Sequence, residues 1–343
     1  MELYHFRPLP RTFCLRNVVD ITTRAFGPVK VNPHGEKVHD TMKKWFMSFK
    51  GYDTPKALAY LDKFQNFATF SYPDADEEHL ETCLADIYWG FVVDDVTDEG
   101  ELQAEPDQIK AGVETCLQAL YQVDFTSTDP HASMLYDLYK RIQSTGTPEN
   151  CRRFVRAVEE FGMSEIEQSH ERSRQNIPSV SEFIVARRGT YGAFMIQTVV
   201  EYSLDLKLPD YVFEHPIVDE MSVVTRDIMA WVNDLCSFNK EQADNDFQNL
   251  VCCIMVEQKV ELQEAIEVLI DMLERRIDDY TKLKARLPSF GSLVDDELAR
   301  YNIAIEHFIK GSAAYYYSTT RYFATQDAAA NESLIIDLKT SVE

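Results

Sequence analysis

Little in this sequence interrupts a helix. Only 12 glycines and 13 prolines fall among 343 residues, and no Pro-, Gly- or Ser-rich linker divides the body between about residues 36 and 325. No apolar run reaches the roughly 18 residues of a membrane span, and Met1-Glu2-Leu3-Tyr4-His5-Phe6 lacks the order of a signal peptide. Basic residues are scarce: 34 Lys and Arg face 57 Asp and Glu, a formal charge of -23. That balance argues against a nucleic-acid partner, which needs basic patches to displace counterions. It does not exclude a phosphorylated substrate, because metal ions can supply positive charge locally. The seven cysteines are odd in number and contain no CxxC pair, which points to free thiols in a reducing compartment. The eight histidines show no HxxxH or HExxH spacing, so neither haem nor zinc chemistry has support. From these absences we expect a cytoplasmic protein.

What is present is helical periodicity. Hydrophobic residues make up 45% of the chain, ample for a buried core, and they recur at steps of three and four, as in Leu262, Ala265, Ile266, Leu269, Leu273, Ile277 and Tyr280. The spacing predicts an all-α single domain of ten or so helices over residues 1–325. Short breaks fall at Ser71 to Asp74, Gly100 to Asp107, Ser144 to Glu149, Leu208 to Asp210 and Leu287 to Ser289. Residues 1 to about 35 read as an irregular arm, and 326–343 as a tail expected to be unordered.

Two acidic motifs stand out, each ending a run that reads as a buried helix. In the first, Leu84, Ile87, Phe91, Asp94 and Asp98 fall on one helical stripe that is apolar for two turns and then anionic. Carboxylates at i and i+4 repel by roughly 0.2–0.5 kcal/mol on an exposed helix, and more where water is scarce, unless a cation intervenes. An EF-hand fails here: counted from Asp95, position twelve is Pro106 where a bidentate Glu is needed. A solvated acidic helix end is the bland alternative.

The second motif places Asn233, Ser237 and Glu241 at i, i+4 and i+8, so an amide, a hydroxyl and a carboxylate line one face over roughly 12 Å. Hard oxygen donors of this kind suit Mg²⁺, which takes a few protein ligands together with waters and substrate phosphates. The preceding Asp227-Ile228-Met229-Ala230-Trp231-Val232 is apolar enough to be buried. A buried Asn or Ser without a partner costs about 1–3 kcal/mol, so a purely structural polar network is the less economical reading. The pair of motifs points to an enzyme that handles a diphosphate.

These motifs resemble those of the class I terpene synthases, in particular the microbial and fungal sesquiterpene cyclases. Asp94-Asp95-Val96-Thr97-Asp98 resembles the family's DDxxD motif, and Asn233 to Glu241 matches NDxxSxxKE at every fixed position. The family's diphosphate-sensing arginine precedes that Asn by 46 residues, and 233 − 46 gives Arg187. A C-terminal Arg-Tyr pair is matched by Arg321-Tyr322. The helix-breaking effector segment falls on Thr190 and Tyr191 by count and on Gly189 or Gly192 by residue type.

The resemblance implies a class I α-helical bundle around a central apolar cavity. Asp94, with Asp98 as a weaker partner, would hold two Mg²⁺ ions, and Asn233, Ser237 and Glu241 a third. Arg187, Lys240, Arg321 and Tyr322 would hydrogen-bond the diphosphate of a prenyl substrate, expected to be farnesyl diphosphate. Phe91, one turn before Asp94, is the best-placed aromatic face for a passing carbocation, ahead of Phe67, Trp89, Tyr191 and Trp231. The product expected is a cyclic C15 hydrocarbon or alcohol of cadinane type, from a monomer or homodimer. Deprotonation and water capture both remain open as the final step.

The alternatives are a chain-elongating prenyl transferase and a non-catalytic helical scaffold that binds divalent cations. The first would need a second aspartate-rich motif, and Asp295-Asp296-Glu297 lacks an Asp at 299, where Ala299 stands. Asp74-Ala75-Asp76-Glu77 falls short of the DxDD acid of protonation-type cyclases and reads as surface charge.

Overall fold

The computed structural model describes residues 9–52, 54–98, 105–174, 177–323 and 332–339, without the side chains of Lys56, Thr97 and Asp98. In chain order these residues form β1 (Thr12–Arg16), α1 (Val18–Phe26), α2 (Gly35–Met47), α3 (Pro55–Leu61), α4 (Phe67–Ser71), α5 (Glu77–Asp98), α6 (Pro106–Tyr121), α7 (Pro130–Thr145) and α8 (Pro148–Ser173). They continue with α9 (Val180–Thr190), α10 (Ala193–Tyr202), α11 (Asp210–Phe213), α12 (Pro216–Ala243), α13 (Leu250–Gln258), α14 (Leu262–Lys284), α15 (Ser292–Ser318) and β2 (Ser333–Asp337). The helices among the described residues outnumber the ten or so expected because α3, α4 and α11 are pieces of four to seven residues. The longer elements meet at the short breaks read from the sequence.

Proline starts helices here rather than breaking them. Pro55, Pro106, Pro130, Pro148 and Pro216 each stand at the first turn, where the missing N–H would have had no intrahelical acceptor. Thr54, Asp129 and Thr147 cap three of these starts through their side chains. Asp76, one of the residues of the DxDD-like stretch, accepts from the His79 amide at the start of α5. Its role is therefore local, as a cap.

Three helices are buried through much of their length: α5 from Leu80 to Trp89, α12 from Val224 to Asn239 and α15 from Tyr301 to Tyr317. A helix that is apolar all round belongs inside a bundle, and the others pack around these three. Helix α12 lies against α14, α9, α13 and α15, while α5 lies against α2, α4 and α7. One continuous hydrophobic cluster runs from Phe13 to Ile336. Among the described residues no helix is long and apolar enough to cross a membrane.

Two expectations about the chain ends are corrected. The N-terminal arm is not irregular throughout: it contains β1 and α1, with Asn17 capping α1. Within the tail expected to be unordered, Ser333–Asp337 pairs antiparallel with β1, Thr12 opposite Asp337 and Arg16 opposite Ser333. Strand pairing between residues more than 300 apart leaves no local periodicity to read. Beyond this strand, Asn239 on α12 donates to the Asp337 carbonyl and accepts from the Lys339 amide. The segment thereby straps the end of α12.

Close approach of α15 to α4 fixes one wall of the interior. A Cβ at Gly311 would lie 2.2 Å from the Phe70 carbonyl oxygen, which only a shift of backbone could relieve. We expect Gly311→Ala to destabilise the fold by about 1–3 kcal/mol, measured as a lower urea midpoint at an unchanged slope; an unchanged midpoint would refute the close crossing.

Candidate active site

The central cavity lies between α5, α9, α10, α12 and α15. From α5 it is lined by Asp86, Ile87, Gly90, Phe91 and Asp94, and from α12 by Asn233, Ser237, Lys240 and Glu241. Arg187, Arg321 and Tyr322 complete the polar end, while Phe67, Phe161, Phe308, Met195 and Ile196 furnish apolar wall. The structure thus gathers into one cavity Asp94, Asn233, Ser237 and Glu241 with Arg187, Lys240, Arg321, Tyr322 and Phe91. The Asp98 side chain lies outside the described residues.

Helical spacing separates Asn233, Ser237 and Glu241 from the intervening Asp234. Asp234 is fully buried and accepts from Arg187 Nε at 2.8 Å and from the Leu250 amide at 3.2 Å. Burial pushes its carboxyl above the ordinary range, with Arg187 working in the opposite direction. The same guanidinium donates through Nη2 to Asn233 Oδ1 at 2.8 Å. One arginine therefore ties α9 to two consecutive residues of α12.

Glu241 accepts from Asn249 Nδ2 at 2.8 Å, and Asn249 also donates to the Asp234 carbonyl. Burial pushes the Glu241 carboxyl up to about 7, despite the opposing charge of Arg187. Ser237 Oγ is buried without a hydrogen-bond partner. An under-compensated carboxylate, an orphaned hydroxyl and an amide oxygen on one stripe fit a hard divalent cation. Among the described residues no three His, Cys, Asp or Glu side chains converge as a metal site, so a metal here depends on the amide and hydroxyl oxygens as well.

Across the cavity the two adjacent aspartates of α5 divide their roles. Asp94 lines the cavity, whereas Asp95 turns to Arg321 and Tyr60. Arg321 Nη2 donates to Asp95 at 2.5 Å and the Tyr60 hydroxyl donates at 2.6 Å. Burial disfavours the charged Asp95 carboxylate, but Arg321 and Tyr60 outweigh it and hold the carboxyl below its ordinary range. The Arg321 guanidinium also sits 5.2 Å from the centre of Phe91 and 5.9 Å from that of Tyr322. Such contacts hold a buried cation without removing it from the cavity wall.

The effector segment resolves into two kinds of glycine. Gly192 takes the left-handed conformation at φ 67° between α9 and α10, so the helix breaks there. Gly189 stays helical but lies so close to α8 that a Cβ would fall 2.0 Å from Ser164 Oγ. Tyr191, at the break, faces the cavity and its hydroxyl pairs with that of Tyr316 at 3.0 Å.

Among the weaker aromatic candidates, Phe67 and Tyr191 line the cavity but Trp89 and Trp231 do not. Trp89 turns outward from α5 and donates its indole N–H to the His131 carbonyl, and Trp231 is buried in the core. Asp295 accepts from Ser289 Oγ and the Phe290 amide at the start of α15, a turn-closing role rather than a ligand's. The residues that sequence reasoning missed are Asp86, Tyr72, Tyr60 and Asn249. Asp86 alone carried a signal, an isolated acid eight residues before Asp94 in an otherwise apolar stretch.

Comparison with known proteins places this geometry among relatives. The family model described as "Terpene synthase family 2, C-terminal metal binding" matches residues 87–279. The chain is 28% identical to Sesquiterpene synthase Agr1 of Cyclocybe aegerita, covering 93% of this chain and 92% of that one. It is 26% identical to Alpha-muurolene synthase of Coprinopsis cinerea, covering 94% and 77% respectively. The crystal structure of SVS_A2, a protein from ancestral sequence reconstruction, shares the fold with a TM-score of 0.77 over 90% of each chain at 23% identity.

The Asp95–Arg321 pair generates a stability prediction. A carboxyl whose folded pKa is depressed contributes stability that is fully present above its unfolded value, about 3.9, and is lost as pH falls through the lower folded value. We expect Asp95→Asn to lower stability at pH 7, by up to about 3–5 kcal/mol as Arg321 loses its counter-charge, and to flatten the acid limb of a stability–pH profile. An acid limb identical to that of the parent would show that the pair is not held.

Proposed function

Because the chain belongs to terpene synthase family 2, among the class I terpene synthases, and is thereby a lyase acting on prenyl diphosphates, we propose that it is a Mg²⁺-dependent sesquiterpene cyclase of farnesyl diphosphate. The observation that carries this reading is the polarity of the cavity: oxygen donors and guanidinium groups at one end, aromatic and aliphatic wall beyond them. A diphosphate fits the first and a hydrocarbon chain the second.

Asp94 on one wall and Asn233, Ser237 and Glu241 on the other would hold the metal, expected as three Mg²⁺ ions. Mg²⁺ held by these residues would supply the positive charge that a departing diphosphate needs. Arg187, Lys240 and Arg321 donate charge-assisted hydrogen bonds to the same leaving group, with Tyr322 beside them. Arg187 already spans Asn233 and Asp234, so binding at its guanidinium acts directly on the metal stripe. Beyond Asp94, Phe91 and Phe67 present ring faces to the allylic cation, and the apolar wall keeps water from it. Resemblance to fungal enzymes, including the relative named for alpha-muurolene, supports a cadinane-type skeleton.

The test is incubation with farnesyl diphosphate, with and without Mg²⁺, and mass-resolved analysis of hexane-soluble products. We expect a cyclic C15 product only with Mg²⁺. Asn233→Ala should reduce turnover by about 10²–10³-fold while circular dichroism stays helical; near-parental turnover would remove the stripe from the mechanism. Phe91→Leu should alter the product mixture more than the Mg²⁺ dependence, and an unaltered mixture would exclude Phe91 from contact with the cation. Product from the wild type without any divalent metal would overturn the metal-dependent reading.

A further inference from the structure

The cavity is not apolar at its far end. Helix α5 carries Asp86 into it, eight residues before Asp94, which at 1.5 Å per residue is about 12 Å down the helix axis. Asp86 is only 3% exposed, lines the cavity and has an Oδ1 atom with no hydrogen-bond partner. Tyr72, also 3% exposed, lines the same region, and its hydroxyl has no partner either. The two are close enough for the Asp86 carboxylate to disfavour ionisation of the Tyr72 phenol, after the larger effect of burial. Phe308 packs edge-on against Tyr72 with ring centres 5.5 Å apart.

Leaving such groups unpaired in an apolar interior is costly, and among the described residues no cation pairs with the acid. Asp234, fully buried, and Asp95, partly buried, each have an arginine partner. Asp86 has none among the described residues, and burial alone pushes its carboxyl up to about 7. A carboxyl of that kind exchanges a proton readily near neutral pH.

Resting on the cyclase reading above, we propose that Asp86 is the proton acceptor that ends the reaction at carbons far from the diphosphate, with the Tyr72 hydroxyl facing the same end. The cyclised cation loses a proton from a carbon adjacent to its cationic centre. That C–H bond breaks, its electron pair becomes the new C=C bond and neutralises the cation, and the proton passes to the Asp86 carboxylate. The carboxyl returns its proton to solvent after product leaves. The diphosphate, held at the mouth by Arg187, Lys240 and Arg321, is about two helical turns too distant to perform this step. A carboxylate at the far end also draws positive charge towards it, which favours termination there.

Two measurements test the assignment. With wild-type protein, farnesyl diphosphate deuterated either in its terminal isoprene unit or in the unit bearing the diphosphate shows which part of the chain loses hydrogen. We expect loss from the terminal unit; full retention of the terminal unit's deuterium overturns the proposal and needs no variant. With Asp86→Asn, checked for a parental thermal midpoint, the major olefin should fall at least fivefold as a share of total product, replaced by alcohol or by olefins formed nearer the mouth. Asp86→Glu should restore part of that share. An unchanged product composition in Asp86→Asn, or the same altered composition in both variants, overturns proton acceptance and leaves only a packing role. Absence of any C15 product from the wild type would instead overturn the cyclase reading itself, and with it this inference.

Discussion

Oxygen ligands buried in a helical bundle repel one another and lose their hydration unless positive charge is supplied, and α12 is arranged around that constraint. Arg187 supplies the protein's share of the charge, donating to Asn233 and Asp234 at once. Asn249 then spans the next turn, from the Asp234 carbonyl to the Glu241 carboxylate. What remains under-compensated, the Glu241 carboxylate and the Ser237 hydroxyl, faces the cavity, where a cation and an anionic substrate can complete the balance. Arg187 ties α9 to this stripe, and the C-terminal segment straps the end of the same helix through Asn239.

The facing wall solves a related problem with a different division of labour. Adjacent aspartates on α5 point in different directions, so Asp95 can anchor Arg321 while Asp94 stays on the cavity side. Arg321 gains aromatic contacts with Phe91 and Tyr322 as well as its carboxylate. The mouth therefore holds both signs of charge in fixed positions, an arrangement that stabilises a departing anion with little rearrangement. Below it, α5 passes through Gly90 and Phe91 to the unpaired acid at Asp86, so one helix carries a charged, an apolar and a proton-accepting zone in sequence.

Much of this was legible beforehand, and for identifiable reasons. Helices longer than about three turns announced themselves by periodicity, and the Asn233, Ser237, Glu241 stripe by spacing, because both are local properties of one helix. Arg187 and Arg321 came from family resemblance, since nothing in their own surroundings distinguishes them from surface arginines. Tyr60, Asn249 and Tyr72 act through contacts between separate elements, which leave no local pattern. The β1–β2 pair escaped for the same reason: its strands are five residues long and meet only in the folded chain. Trp89 and Trp231 show the converse error, in which an aromatic near a motif proves to belong to the core because its helix turns it away.

Whether the two walls form one site for a diphosphate and its metal ions is decided by calorimetric titration of inorganic diphosphate with and without Mg²⁺. A single shared site requires positive coupling between the two ligands, each raising the affinity of the other by the same factor. Diphosphate binding that appears only with Mg²⁺ in the wild type, and is lost in Asn233→Ala, is the predicted result. Mg²⁺ binding that is indifferent to diphosphate would contradict it and identify a cation-binding scaffold instead.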